Sequence, residues 1–288
     1  MRNVDKHSVT EAVKATFKCS DSRTELLVRR LVDYIHDYAR EVNLSHAEWN
    51  KLIELLTRAG EVTDPERNEF ILFSDVLGLS SLVDMLNVPE GGTSSSLLGP
   101  FHILGAPDLP VGGDMIRDNP GDQVLVYGVV RSADGEPLSG AKLEIWQTAA
   151  NGLYSNQDEA QSNFNFRCRQ ITGPDGIYAF STVRPAPYTV PSDGPVGELL
   201  AATGRHPWRP SHLHFIVMAE GHQSLVTELF PEDDPYLDQD AVFGVRESLI
   251  LRYKQHQSID EIPVSFERGD QLSKPFYSVN FDFKLASA

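Results

Sequence analysis

The sequence predicts a mixed fold, an N-terminal helical segment followed by a C-terminal all-β sandwich. Three observations carry that expectation. Apolar residues recur at helical spacing as far as Asn87. The stretch "VPEGGTSSSLLGP", Val88 to Pro100, then replaces them with Gly, Ser, Thr and Pro. Beyond it lie short runs rich in β-branched and aromatic residues, separated by turn signals. The boundary falls so that residues 1–95 form the helical segment and 96–288 the sandwich. A chain of 288 residues with 41% hydrophobic content can bury a core of that size.

The helical half reads in order. "SRTELLVRRLVDYIHDYAREV" places Leu27, Leu31, Tyr34, Ile35 and Tyr38 on one face, and Ser22 with Glu25 fits a capping box at its start. Ser45 with Glu48 repeats that signature before "WNKLIELLTRAG", with Gly60 as the stop. Asp64-Pro65 offers a third start, ahead of "ERNEFILFSDVLG", and "LSSLVDMLN" a fourth helix. Such apolar stripes pack either on the sandwich or on a second copy of themselves. The strand half follows as "DQVLVYGVVRS", "GAKLEIWQ", "GIYAFSTV", "HLHFIVMAE", "SLVTELF" and "FYSVNFDFKL". Asp-Gly turns in "ADGEPLSG" and "GPDGIY" punctuate them.

Charge and composition exclude several classes. The formal net charge of −16 offers nothing to balance phosphate, which argues against nucleic acid and anionic membranes as partners. "MRNVDKHSVTEAVKATFKCS" has no apolar core of a secretory signal, and no run is long enough to insert in a membrane. The two cysteines, Cys19 and Cys168, read as reduced thiols of a cytoplasmic protein and are too few for a Cys-based zinc site.

The chemistry is concentrated in "RPSHLHF". His212 and His214 stand at i and i+2, so a strand points both imidazoles to one face. By itself such a pair is more often two satisfied core histidines than a metal site. Further ligands must come from elsewhere. Tyr154 in "NGLYSN" follows a strand, and Tyr188 in "RPAPYTVP" stands in a rigid, proline-flanked segment. Taken singly, each tyrosine is equally a packing residue with its hydroxyl on the backbone.

Three segments together change that reading. "VLVYGVVRSADGEPLSGAKLEIWQTAANGLYS", "GPDGIYAFSTVRPAPYTVP" and "RHPWRPSHLHFIV" resemble, in order, the intradiol ring-cleavage dioxygenases. The resemblance runs through most of residues 95–288. It implies a mononuclear, non-haem Fe(III) held by Tyr154, Tyr188, His212 and His214. The donor set is chemically consistent, since phenolate is a hard anionic oxygen ligand and imidazole suits iron in either state. It implies O2 and an aromatic diol or triol as substrates, with one oxygen inserted between two hydroxyl-bearing carbons and a dicarboxylate as product. Tyr188 matches the ligand that gives way to substrate and accepts a proton. Arg209 matches the arginine that stabilises carbanion character in the pocket. The family often has glutamine where Glu228 stands, a departure. A carboxylate there would repel an anionic intermediate, or serve as an acid or base if its pKa were raised.

The segments "FILFSDVLGLSSLVD" and "DDPYLDQDAVFGVRESLIL" resemble the branch that cleaves hydroxyquinol (benzene-1,2,4-triol) more than the branch that cleaves catechol. On that resemblance Leu72, Asp75, Leu97, Gly99, Pro100, Phe101 and Val242 line the substrate ring, and Asp75 accepts a hydrogen bond from a third hydroxyl. The bland alternatives are a solvent-facing Asp75 and a purely structural Phe101 and Val242. The resemblance also implies a homodimer through the helical segment, with lipid between the helices. The competing functions are a catechol or substituted-catechol 1,2-dioxygenase, a non-catalytic β-sandwich binding module, and a zinc hydrolase, for which neither H-E-x-x-H nor H-x-x-E-H is present.

Overall fold

The structure, a computed structural model, describes residues 3–64 and 67–288. It divides into two compact units, Met1–Arg58 and Ala59–Ala288. The first holds α1 (Val9–Lys14), α2 (Ser22–Glu41) and most of α3 (His46–Glu61). Asp21 rather than Ser22 caps α2, because its carboxylate accepts from the Thr24 amide at 2.8 Å. The expected Ser45–Glu48 box does form: Glu48 accepts from the Ser45 amide at 2.9 Å, and the Glu48 amide donates back to Ser45 Oγ. Gly60 lies inside the last turn of α3 instead of ending it. Lys14 anchors α1 to α2 through Asp33 at 2.7 Å. No residue of α2 is buried, and its apolar stripe Leu27, Leu31, Tyr34, Ile35 and Tyr38 is exposed throughout.

The second unit holds two further helices before the sandwich, α4 (Glu69–Val76) and α5 (Leu79–Leu86). Asn68 caps α4, its side chain accepting from the Phe70 and Ile71 amides; Pro65, expected at the first helical position, lies outside the described residues. The strands are β1 (Gly113–Asp114), β2 (Gln123–Ser132), β3 (Lys142–Gln147), β4 (Arg167–Ile171), β5 (Ile177–Val183) and β6 (Tyr188–Thr189). They continue after α6 (Pro195–Ala202) as β7 (Trp208–Arg209), β8 (Leu213–Met218), β9 (Leu225–Pro231), β10 (Ile250–Leu251), β11 (Lys254–His256), β12 (Phe276–Asn280) and β13 (Phe283–Leu285). "FYSVNFDFKL" is therefore two strands, β12 and β13, each parallel to β2. The short helix α6 and the strand β4 carried no clear periodic signal in the sequence.

One sheet runs β10-β9-β8-β3-β4, the other β1-β5-β2-β12-β11 with β13 also on β2, and a ribbon pairs β6 with β7. The main core lies between the sheets: Phe215 of β8 meets Tyr178 and Phe180 of β5 and Phe283 of β13 at ring separations of 4.9 to 6.3 Å. Alternation along β8 then turns His214 to the opposite face, away from that core. A second apolar cluster, built from Leu72 and Val76 of α4, Val196 and Leu200 of α6, Val190 and Val242, is separate from the main one. Among the described residues, no helix is long and apolar enough to cross a membrane.

Candidate active site

Strand register assembles the site. Trp146 of β3 and Glu228 of β9 pair directly with His214 of β8, so the three side chains form a row on the outer face of their sheet. Tyr188 and Arg209 oppose each other in the β6–β7 ribbon. Tyr154 comes from the loop after β3. The strand β8 begins at Leu213, one residue later than expected, yet His212 still shares a face with His214, with their Nε2 atoms 3.1 Å apart.

Tyr154 Oη lies 3.0 Å from His214 Nε2 and 3.3 Å from His212 Nε2. Donor atoms about 3 Å apart have the spacing of ligands sharing one ion at bond lengths near 2 Å. His212 Nδ1 donates to the Pro210 carbonyl at 2.7 Å, which leaves the Nε2 lone pair facing the centre. Trp146 stacks on His214 with centroids 4.6 Å apart and planes inclined by 6°, fixing that ring. Tyr188 stands edge-on to Tyr154, 5.5 Å between centroids, with its hydroxyl 3.5 Å from Arg209 Nη1. All four expected ligand residues are thus together and buried.

Burial, and then the Arg209 charge, lowers His212 to about 4; burial and then His212 hold His214 well below the ordinary range. Both imidazoles are therefore neutral, the form that ligates. Burial pushes Tyr154 well above the usual phenol range, with Tyr188 adding to the shift, and burial also raises Tyr188. Two phenol oxygens and two neutral imidazoles, with Tyr154 Oη, His212 Nε2 and His214 Nε2 converging within 3.0 to 3.3 Å, are a donor set that fits a hard multivalent ion. His212, His214 and Glu228 also form a potential two-histidine, one-carboxylate set. Glu228 Oε1 is farther off, 3.5 Å from His212 Nε2 and from His214 Nδ1, which has no hydrogen-bond partner. Both Glu228 oxygens are already engaged by the Arg209 fork, at 2.8 and 2.9 Å, and by Ser96 Oγ at 2.7 Å.

That pairing answers the question left by Glu228. Burial works to raise its carboxyl, but Arg209, then His212 and Ser96, pull it below the ordinary range. It is a held anion, not an acid with a raised pKa. Asp240 completes the clamp on Arg209, at 3.1 Å from Nε, and also accepts from the Val242 and Gly244 amides. Gly244 is required sterically: a Cβ there would sit 2.8 Å from Arg209 Nη2 and 2.9 Å from Glu228 Oε2. Asp240, Ser96 and Trp146 were missed in the sequence. Their spacing carries no motif, and only the fold brings them to the site.

One small pocket, about 20 Å3, opens beside Tyr188 and Arg209. Leu72 and Asp75 reach it from α4, Val242 from the loop after Asp240, and Leu97, Gly99, Pro100 and Phe101 from the segment leading into the sandwich. Every expected wall residue therefore lines the same space, joined by the unexpected Val190 and Pro191. Gly99 has φ +69°, and a Cβ on it would come within 3.3 Å of His214 Cε1, so the wall closes directly over that ring. Asp75 is buried, not solvent-facing. Burial raises its carboxyl, opposed by the Ser80 hydroxyl and Arg209. A larger open groove, near Arg205, His206 and Arg246, contains none of the candidate ligands.

Residues 106–287 match the family model described as "Dioxygenase", and residues 21–93 the one described as "Catechol dioxygenase N terminus". The chain is 41% identical over 286 residues to hydroxyquinol 1,2-dioxygenase of a Rhizobium species, covering 98% of this chain and 96% of the relative. It is 47% identical over 253 residues to 6-chlorohydroxyquinol 1,2-dioxygenase of Cupriavidus pinatubonensis, covering 87% and 92%. Among solved structures, a hydroxyquinol 1,2-dioxygenase from Pseudomonas putida superposes with a TM-score of 0.91 at 40% identity, covering 98% of this chain and 99% of that one.

Proposed function

The chain belongs to the intradiol ring-cleavage dioxygenase family, and from that premise we propose that it opens hydroxyquinol with O2 at a mononuclear, non-haem Fe(III). The observation that carries this reading is the convergence of Tyr154 Oη, His212 Nε2 and His214 Nε2 within 3.0 to 3.3 Å, beside a pocket walled by a buried aspartate. With Tyr188, these residues would hold the ion. The iron, when bound, supplies Lewis acidity that favours the substrate as its dianion and activates it toward O2.

The protein's own groups do the rest. As a tyrosinate, the form it would have as an iron ligand, Tyr188 would take a substrate hydroxyl proton at its Oη, next to Arg209 Nη1, and become the neutral phenol. Arg209, fixed between Glu228 and Asp240, turns Nη1 toward Tyr188 and His212 and stabilises carbanion character in the ring. Leu72, Leu97, Phe101 and Val242 exclude water, while Gly99 and Pro100 shape the wall beside His214. Asp75 accepts the hydroxyl that distinguishes a triol from a diol. The product is a ring-opened dicarboxylate, 3-hydroxy-cis,cis-muconate or its tautomer maleylacetate. The exposed stripe on α2 supports a homodimer through the helical segment, with lipid between the apolar faces. Two free cysteines suit a cytoplasmic setting.

The test is iron content and the visible spectrum of the purified protein, followed by turnover of benzene-1,2,4-triol against catechol. A red-brown protein with stoichiometric iron that prefers the triol is expected. A colourless zinc protein would overturn the metal, and faster turnover of catechol would overturn the substrate.

A further inference from the structure

The row of side chains across the outer face continues beyond Trp146. Arg167 of β4 pairs directly with Trp146, so Arg167, Trp146, His214 and Glu228 line up across four adjacent strands. At one end, Glu228 is a buried anion with Arg209 as its partner. At the other, Arg167 is a buried cation, 2% exposed, and among the described residues it makes no ion pair. Its donors meet only neutral acceptors: Nε donates to Ser155 Oγ at 2.9 Å, and Nη2 to Asn156 Oδ1 at 2.9 Å. Nη1 has no hydrogen-bond partner. The guanidinium carbon stands 5.7 Å over the ring of Tyr154.

A buried charge without a counter-ion is expensive, and proteins rarely keep one. Two features show what this one faces. Ser155 and Asn156 directly follow Tyr154, so the Arg167 fork ties the Tyr154 loop to the sheet. The neutral Tyr154 ring gives Arg167 only a cation–π contact. As an anionic oxygen ligand, Tyr154 would give it a full opposite charge in a dry environment.

The geometry points to Arg167 as the positioning residue for Tyr154: it fixes the tyrosine loop and supplies the countercharge for Tyr154 as an anionic metal ligand. This rests on the iron site proposed above. A guanidinium stays protonated throughout the neutral range, so Arg167 is a cation there. The site therefore carries two arginines with separate tasks. Arg209 faces the substrate pocket and is clamped by two carboxylates. Arg167 stands over the Tyr154 ring and is not among the residues that line that pocket.

Arg167→Gln keeps donors for Ser155 and Asn156 but removes the charge. Arg167→Lys keeps the charge but loses the fork. Full-length, iron-loaded wild type and both variants are compared by competition with an iron chelator and by the position of the visible phenolate-to-iron band. A cation beside the phenolate lowers the energy of the donor electrons. Arg167→Gln should therefore move the band to longer wavelength and weaken iron retention by about 10- to 100-fold, the usual range for groups that support a ligand. Arg167→Lys should return the band to its wild-type position. The gain in unfolding temperature on adding iron should be smaller in Arg167→Gln than in wild type. An unshifted band and equal iron retention in Arg167→Gln would overturn the assignment, as would equal band shifts in both variants. If Arg167→Gln does not fold, Arg167→Met carries the same charge-free comparison. A wild type that binds no iron would sink the iron site itself; a wild type that binds iron indifferently to Arg167→Gln would sink only this inference.

Discussion

The helix α2 and the strand β8 carry equally clear apolar patterns and end in opposite surroundings. In α2 the stripe from Leu27 to Tyr38 is exposed, and no residue of the helix is buried. In β8, Leu213, Phe215 and Val217 enter the core between the sheets, while His214 is buried on the other face under Gly99. A periodic pattern states which face is apolar; it does not state what covers it. Where both faces of a strand are covered, a polar side chain on one of them is costly unless it is used. The chemistry proposed above therefore falls on β8 and its neighbours, and the proposed association on α2.

The contrast is tested most severely at the ligands. His212→Ala removes a neutral imidazole whose Nε2 faces Tyr154 and His214. Iron content and colour should be lost, with a fall in activity beyond the about 100-fold typical of supporting groups. Metal analysis checks this. Full iron retention would show that the pair belongs to the core and not to a metal centre.

The next effect is on selectivity. Asp75→Asn should keep iron and colour but lower kcat/KM on benzene-1,2,4-triol by about ten- to hundredfold, the value of one charged hydrogen bond of roughly 1.5–3 kcal/mol. Catechol turnover should hold or rise. Equal losses on both substrates would make Asp75 structural. The same residue predicts a pH effect. Burial raises its carboxyl, so the folded protein binds that proton more readily than the unfolded chain. Its contribution to stability is full below the ordinary value of 3.8 and is lost as pH rises through the folded value. Asp75→Asn should therefore stabilise the protein near neutral pH, with the gain fading below about pH 4. Unfolding midpoints across that range check it; a gain that grows toward acid would reverse the sign.

What the sequence made legible follows from the same physics. The strands β2, β3, β5, β8 and β9 stood out because their runs are rich in β-branched and aromatic residues and each buries at least one continuous face. The strand β4, "RCRQI", did not, because its buried arginine and glutamine break the apolar code. Tyr154, Tyr188, His212 and His214 read as one ligand set only through resemblance; from the residues alone the His-x-His spacing and two candidate tyrosines, Tyr188 flanked by prolines, were visible. Asp240 and Arg167 were not singled out, because each reaches the site through a partner that only strand register or loop closure brings near.

Asp240→Asn probes such a hidden partner. It leaves Glu228 as the one carboxylate on Arg209 among the described residues and removes one of the two oxygens that accept from the Val242 and Gly244 amides. A stability cost of about 1–3 kcal/mol is expected. A fall of about tenfold in kcat/KM should come mainly through KM, since a pocket wall moves while the ligands stay. Urea unfolding and steady-state kinetics measure the two. Loss of colour would instead place Asp240 in support of the metal.

The smallest effect on chemistry should come from α2. Leu31 is exposed, lies on the stripe with Leu27 and Ile35, and belongs to the compact unit that contains none of the candidate ligands. Leu31→Glu puts a charge into the middle of that stripe. If the stripe pairs with a second copy, the charge must be buried without a partner on association, and the dimer should weaken. In the separated chain the same glutamate is an ordinary surface residue, worth within about 0.5 kcal/mol. The iron, the colour and the triol preference should then stay at wild-type values, and kcat should change by less than about twofold. Sedimentation across a concentration series, with activity read on the same samples, separates the two quantities. A variant that stays dimeric would remove the association role from α2. A variant that turns monomeric and also loses iron would show that the division of labour between α2 and β8 is false.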